Sequence, residues 1–136
     1  MKIAFYKPGK KIFFHNASED FASWSYEIVN VMQIFADQGH ECYILSQSDY
    51  IKDSIKNIYI GSFDLKYDRV FFYSGMYDEQ IFTDLTNIKS DNIDLYFTDL
   101  RLWPPEKYQA YFRKVYSIQR DFPGRQYAGN NESYLY

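Results

Sequence analysis

The chain has 136 residues, a net charge of −3 and an isoelectric point near 5.3. This length is typical of one domain, and it is sufficient to bury a hydrophobic core without disulfides or metals. The acidic balance excludes the strong overall positive field of many nucleic-acid-binding domains, although a local basic patch remains compatible with it.

The aromatic content is unusually high, with 15 Tyr, 12 Phe and 2 Trp making 21% of the chain. One small core cannot enclose so many rings, so we expect some at the surface, where Tyr suits interfaces and flat ligands such as sugars or bases. An AT-rich coding sequence explains the same bias equally well.

A single cysteine, Cys42, excludes an internal disulfide and makes a reducing cytoplasm the default compartment. With only His15 and His40 elsewhere, a Cys/His zinc site is excluded, and we predict no metal. The apolar run at the amino terminus is too short for a signal peptide, and no segment approaches a membrane span.

The first predicted elements form a β-α-β unit. A strand over 2–6 runs into a long loop, and a helical face follows at 3.6-residue spacing, with Ser23 or Ser25 as its cap and Gly39 as its end. The apolar residues of that face are Trp24, Ile28, Val31, Met32, Phe35 and Ala36. A second strand over 41–46 then pairs parallel to the first.

Strands and helices alternate along the rest of the chain. The pattern predicts strands over 57–60, 68–75 and 93–98, a helix over 78–88, and either a strand or a helix over 110–118. We therefore predict a single α/β domain with a Rossmann-like, mainly parallel sheet flanked by helices. It spans 1–120, and an irregular tail follows over 121–136.

Ligands of open α/β sheets bind beyond the carboxyl ends of the strands, which here lead into loops at 7–22, 74–78 and 99–105. The first loop lacks both GxGxxG and the P-loop pattern, which disfavours the standard sites for nicotinamide and ATP. Gly9 is typical of a turn. Lys7, Lys10 and Lys11 are either phosphate ligands or ordinary solvated side chains.

Asp99 is the sharpest catalytic candidate, because a carboxylate at the end of a parallel strand is well placed to act as a general base. Partial burial would raise its pKa and Arg101 would lower it. The alternative is that Asp99 caps the next turn and Arg101 pairs with a surface acid. Glu27 lies in the first turn of the first helix. It either faces the same cleft or simply interacts favourably with the helix dipole.

Four aromatic side chains fall in or near these loops: Tyr73, Tyr77, Trp103 and Tyr108. Rings at such positions stack on a sugar or an extruded base. Ordinary packing of the loops onto the sheet is the alternative for each of them.

The order of elements resembles the amino-terminal half of the DNA β-glucosyltransferases of T-even-type phages, which have the two-domain GT-B fold. The similarity covers about residues 1–105, and the most specific stretch is FTDLRL at 97–102. The other matching stretches are 1–4, the helix from Glu27 to Gly39, 44–46 and 67–70.

The resemblance implies that Asp99 is the general base that activates an acceptor hydroxyl, with Glu27 facing the same cleft. It implies an acceptor-side domain of an inverting glycosyltransferase, which needs a carboxy-terminal donor-binding domain or a second subunit. A sugar nucleotide would be the co-substrate, with no tightly bound cofactor, and modified DNA or a saccharide the acceptor.

We expect Arg101, Trp103, Tyr73 and Tyr77 to contact the acceptor, and Gly9, Lys10 and Lys11 to form a phosphate or donor loop. The segment Trp103-Pro104-Pro105 departs from the family, which puts DNA as the acceptor in doubt. The chain alone would be inactive. The alternative function is a non-catalytic α/β module that binds a partner protein or nucleic acid.

Overall fold

The computed structural model describes residues 1–16, 24–74, 78–97, 106–118 and 133–135. In this part of the chain, strands and helices follow one another in the order β1 (Lys2–Tyr6), α1 (Trp24–Asp37), β2 (Glu41–Ile44), β3 (Ile58–Ile60), β4 (Arg69–Tyr73), α2 (Glu79–Asn87), β5 (Ile93–Phe97), α3 (Glu106–Gln109), β6 (Lys114–Ile118) and β7 (Ser133–Leu135).

The strands form one sheet in the order β3-β2-β1-β4-β5-β6-β7, and every described pair is parallel. The predicted Rossmann-like α/β fold is therefore confirmed. The chain winds outward in one direction through β2 and β3 and in the other direction from β4 onward. The direction of winding therefore reverses between β1 and β4, and this reversal is the switch point of the sheet. Sheets of this kind bind their ligands at the switch point, outside the carboxyl ends of the strands.

The carboxy-terminal region resolves one ambiguity and adds one element. Residues 114–118 form a strand, where the sequence left strand or helix open. Within the stretch predicted to be an irregular tail, Ser133–Leu135 pairs with β6 as an edge strand. Three residues are too short for an alternating pattern to be visible in the sequence.

Helix α1 packs on one face of the sheet through the apolar stripe that the sequence predicted. Ile28, Met32 and Ala36 are buried against β1, β2 and β4. Gly39, two residues after the end of the helix, has a φ of 89°, in the left-handed region that glycine tolerates best. The N–H of His40 donates to the carbonyl of Phe35 at 3.1 Å, and the N–H of Gly39 to that of Ala36 at 3.0 Å, which is a Schellman motif.

Helix α2 covers the opposite face through Ile81 and Leu85. Asp78 caps it by accepting a hydrogen bond from the N–H of Ile81 at 2.9 Å. The ring of Tyr108 is buried on this face, and its hydroxyl donates to the carbonyl of Asp78 at 2.8 Å. The packing interpretation of Tyr108 is therefore the correct one.

A buried carboxylate ties three consecutive strands of the sheet together. Asp94 of β5 is fully buried and accepts hydrogen bonds from Arg69 of β4 and from Arg113, which immediately precedes β6. On the same face, Tyr96 stacks between Tyr73 and Tyr116, with ring centroids 5.1 and 4.7 Å apart. None of the described helices has the length and apolar character needed to cross a bilayer.

Candidate functional site

The loop that leaves β1 at the switch point begins with a tight turn, Lys7-Pro8-Gly9-Lys10. The N–H of Lys10 donates to the carbonyl of Lys7 at 3.4 Å, and Gly9 has a φ of 65°. Proline at the second position and a positive φ at the third are the signature of a type II turn. The prediction that Gly9 supplies a turn is confirmed, and the turn brings Lys7 and Lys10 to the same place.

Ser46, two residues beyond β2, fastens this turn to the neighbouring strand. Its hydroxyl oxygen accepts from the N–H of Lys7 at 2.6 Å, and the hydroxyl donates to the carbonyl of Lys7 at 3.1 Å. Both backbone groups of Lys7 are thus held by one side chain. This pair of hydrogen bonds fixes the start of the loop that carries Lys7, Lys10 and Lys11, which we call the lysine loop.

Beyond the turn, the loop runs beside the continuation of β2. Ile12 forms a parallel bridge with Ser48, and its N–H donates to the carbonyl of Gln47 at 2.8 Å. The carboxylate of Asp49 then accepts from the backbone N–H groups of three consecutive residues, Phe14, His15 and Asn16. These bonds anchor the loop to the sheet before it leaves the described residues.

The same bonds set the charge state of Asp49. Burial acts to raise the pKa of its carboxyl, but the three backbone donors outweigh burial and lower the pKa below its ordinary value. Asp49 is therefore ionised at neutral pH, and its anchoring role depends on that charge.

A cavity of about 360 Å³ opens between the turn and the carboxyl end of β2. Among the described residues, its lining consists of three lysines, two polar and three apolar side chains and a glycine: Tyr6, Lys7, Gly9, Lys10, Lys11, Leu45, Ser46, Gln47 and Phe63. Lys7 is only 4% exposed, whereas Lys10 and Lys11 are exposed. The exposed amines of Lys10 and Lys11 give this concave surface positive charge.

The rings of Tyr6 and Phe63 form the wall of the cavity on the α2 side, edge to face with centroids 5.5 Å apart. The hydroxyl of Tyr6 donates to Asp84 of α2 at 2.5 Å. Burial, followed by this hydrogen bond and the charge of Asp84, raises the pKa of Tyr6 well above its ordinary value. Tyr6 therefore stays neutral and contributes a ring, not an anion, to the cavity.

Glu27 and Tyr73 come together on the α1 face of the same sheet edge. Tyr73 is the last residue of β4, and Glu27 lies half-buried in the first turn of α1. Burial, then the neighbouring Tyr96, then the negative charge of Glu27 raise the pKa of Tyr73. Tyr73 is only 1% exposed, so its ring packs within the sheet face instead of lining an open surface.

Four of the sequence-predicted site residues, Asp99, Arg101, Trp103 and Tyr77, lie outside the described residues. The strand before them is described: β5 runs parallel to β4 and ends at Phe97, two residues before Asp99. The chain therefore enters the FTDLR motif from the sheet edge at which Tyr73 and Glu27 meet.

Sequence reasoning found Gly9 and the lysines Lys7, Lys10 and Lys11 but missed five residues of the cavity, Tyr6, Leu45, Ser46, Gln47 and Phe63. Tyr6 ends β1, and Leu45, Ser46 and Gln47 follow β2, so the rule that parallel strands present ligands at their carboxyl ends would have found these four. Phe63 follows edge strand β3, and no local pattern marks it.

No family model, no curated protein and no solved structure matches this chain. The resemblance to the phage β-glucosyltransferases therefore stays a prediction from the residues of the motif at 97–102 and its companions. The Rossmann-like fold itself is independent of that resemblance, because the strand order and register establish it.

Proposed function

We propose that the chain is the acceptor-side domain of a GT-B glycosyltransferase, which transfers a sugar from a sugar nucleotide to an acceptor hydroxyl with inversion. The supporting observation is the position of β5 beside β4 at the switch-point side of a parallel sheet. β5 ends at Phe97, the first residue of the FTDLR motif, at the sheet edge where Glu27 lies close to Tyr73.

In this proposal Asp99 is the general base. The acceptor oxygen attacks the anomeric carbon, its proton passes to Asp99, and the bond from the anomeric carbon to the diphosphate breaks. Glu27, close to the buried Tyr73, would orient the acceptor hydroxyl toward the base. Arg101, Trp103 and Tyr77 then contact the acceptor.

The departing nucleoside diphosphate needs cations or dipoles to stabilise its charge. The proposal assigns most of that task to a donor-binding domain, carried by a further part of the polypeptide or by a second subunit, since a GT-B cleft lies between two domains. The lysine loop after β1 would supply additional positive charge from this domain to the departing diphosphate.

A glycosyl-transfer assay tests the proposal. The chain is mixed with a panel of sugar nucleotides and with hydroxymethylated DNA or a saccharide acceptor, alone and with the product of the neighbouring reading frame. We expect release of nucleoside diphosphate and a labelled acceptor only in the combined reaction. Absence of transfer in every combination would contradict the proposal.

A further inference from the structure

We propose that the edge strand β3 pairs with β3 of a second copy of this chain, antiparallel and across a two-fold axis. β3 is the last strand at one end of the sheet, and its residues, Ile58, Tyr59 and Ile60, include no charge and no proline. Lysine or proline commonly protects such an edge, because the outer backbone groups of an edge strand can pair with another chain. Here the short length of β3 is its main protection, and it limits the pairing without preventing it. This pairing does not require glycosyl transfer.

The backbone of β3 is bonded to β2 at alternate residues. The carbonyl of Asn57 and the N–H of Gly61 each form a hydrogen bond with β2 at 2.8 Å. Alternate residues of a strand direct their backbone groups to the same side, so Ile58 and Ile60 face away from β2.

Of these two outward residues, only Ile60 is open to another chain. The N–H of Ile58 donates to the carbonyl of Ile55 at 3.3 Å, and its carbonyl accepts from the hydroxyl of Tyr50 at 2.7 Å. Ile60 has no such partner among the described residues, and it is 64% exposed. Two residues directly opposite each other in an antiparallel ladder can exchange both hydrogen bonds. Across a two-fold axis, Ile60 would exchange them with Ile60 of the second copy.

Apolar side chains beside the edge would add to this contact. A groove of about 370 Å³ runs along β3, and the described residues that line it are Tyr50, Lys52, Asp53, Ile58, Tyr59 and Ile60. Ile51, which lies between two of these residues in the chain, is also 64% exposed. Opposite residues of an antiparallel pair have Cβ atoms about 4.5–5.5 Å apart on one face of the sheet, so the two Ile60 side chains would bury each other.

The charges of the groove favour a second copy over a strongly charged partner. Among the described residues, its lining carries one cation and one anion, Lys52 and Asp53. A nucleic acid or an acidic peptide would meet the negative charge of Asp53, and a basic peptide would meet the positive charge of Lys52. A two-fold interface places the same surface on both sides, so the cation of one copy can approach the anion of the other. One backbone pair and a few side chains make a small contact, which is typical of a weak dimer.

Sedimentation equilibrium between about 1 μM and about 1 mM protein measures this association. We expect a concentration-dependent equilibrium between monomer and dimer. Ile60→Lys should raise the dissociation constant of the dimer by about tenfold or more, because it places two ammonium groups at the centre of the contact. The side chain of Ile60 is exposed, so the circular dichroism and the melting temperature of the variant should stay unchanged.

The matched control is Ile34→Lys, which makes the same substitution on α1, at a side chain that is 57% exposed. This control should associate like the wild type. Hydrogen exchange gives a second measurement. The amide of Ile60 should exchange more slowly as the protein concentration rises, whereas the amide of Gly61, which is bonded to β2, should be protected at every concentration.

Four results would overturn the pairing. They are a monomer throughout the concentration range, equal association of the wild type and Ile60→Lys, loss of association in Ile34→Lys instead, and exchange of the Ile60 amide that does not depend on concentration. The last two would place any contact between copies on another surface.

Discussion

Replacing Asp94 by Asn should destabilise the fold more than any surface change of equal size. The Oδ2 atom accepts three hydrogen bonds, from Nε and a terminal nitrogen of Arg69 at 3.1 and 2.9 Å and from a terminal nitrogen of Arg113 at 2.7 Å. The Oδ1 atom accepts from Nε of Arg113 at 3.0 Å. Whichever way the new amide is oriented, its NH₂ group faces at least one arginine donor.

The magnitude follows from the burial of the three partners. Removing one member of a buried ion pair costs about 3–5 kcal/mol, because the other charge is left without a counter-charge. Asp94 is fully buried, but the side chains of Arg69 and Arg113 are 25% and 46% exposed, so water can replace part of the lost interaction. We therefore expect a loss of about 3 kcal/mol in the free energy of unfolding.

Equilibrium unfolding in urea, followed by circular dichroism, measures this loss. The matched control is Asp91→Asn, which removes the partner of Lys66 in an ion pair whose side chains are 88% and 73% exposed. Such pairs contribute about 1 kcal/mol or less, so the control should remain close to the wild type. A loss below about 1 kcal/mol for Asp94→Asn would refute the view that a buried carboxylate holds β4, β5 and β6 together.

Two further predictions concern Asp49 and Cys42. The folded-state pKa of Asp49 is lowered. Its ionised form therefore stabilises the fold fully above the ordinary carboxyl pKa of about 3.9. This stabilisation is lost as the pH falls through the lower pKa of the folded state. Asp49→Asn should therefore speed hydrogen exchange of the backbone amides of Phe14, His15 and Asn16 at neutral pH. The difference in exchange rate from the wild type should shrink at acidic pH. Unchanged exchange at neutral pH would contradict the anchoring role. Burial raises the pKa of the Cys42 thiol to about 12. The native protein should therefore not react with a thiol reagent at pH near 8, whereas the urea-unfolded chain should react at one site. Rapid reaction of the native protein would contradict this prediction, because it would show that the thiol is accessible.

Much of the fold could be predicted because its signals are local. The apolar stripe of α1, the glycine that ends it and the Pro-Gly turn after β1 each depend on residues within one or two turns of chain. The parallel direction of the strands also follows, since alternating strands and helices favour a parallel sheet.

The features that were missed depend on contacts between distant parts of the chain. Asp94 was read as part of a strand body, because its partners Arg69 and Arg113 lie 25 and 19 residues away. Only the parallel pairing of β4, β5 and β6 brings them to it. In the same way, Phe63 reaches the lysine cavity from a loop after edge strand β3.

The most direct test of the proposed function is the transfer rate of the Asp99→Asn variant in the combined reaction with a donor-binding partner. Loss of the general base should lower the rate by about 10²–10⁴-fold. The control Asp37→Asn removes one carboxylate from the last residue of α1 and should retain the wild-type rate. Equal rates for Asp99→Asn and wild type would contradict the assignment of Asp99 as the base.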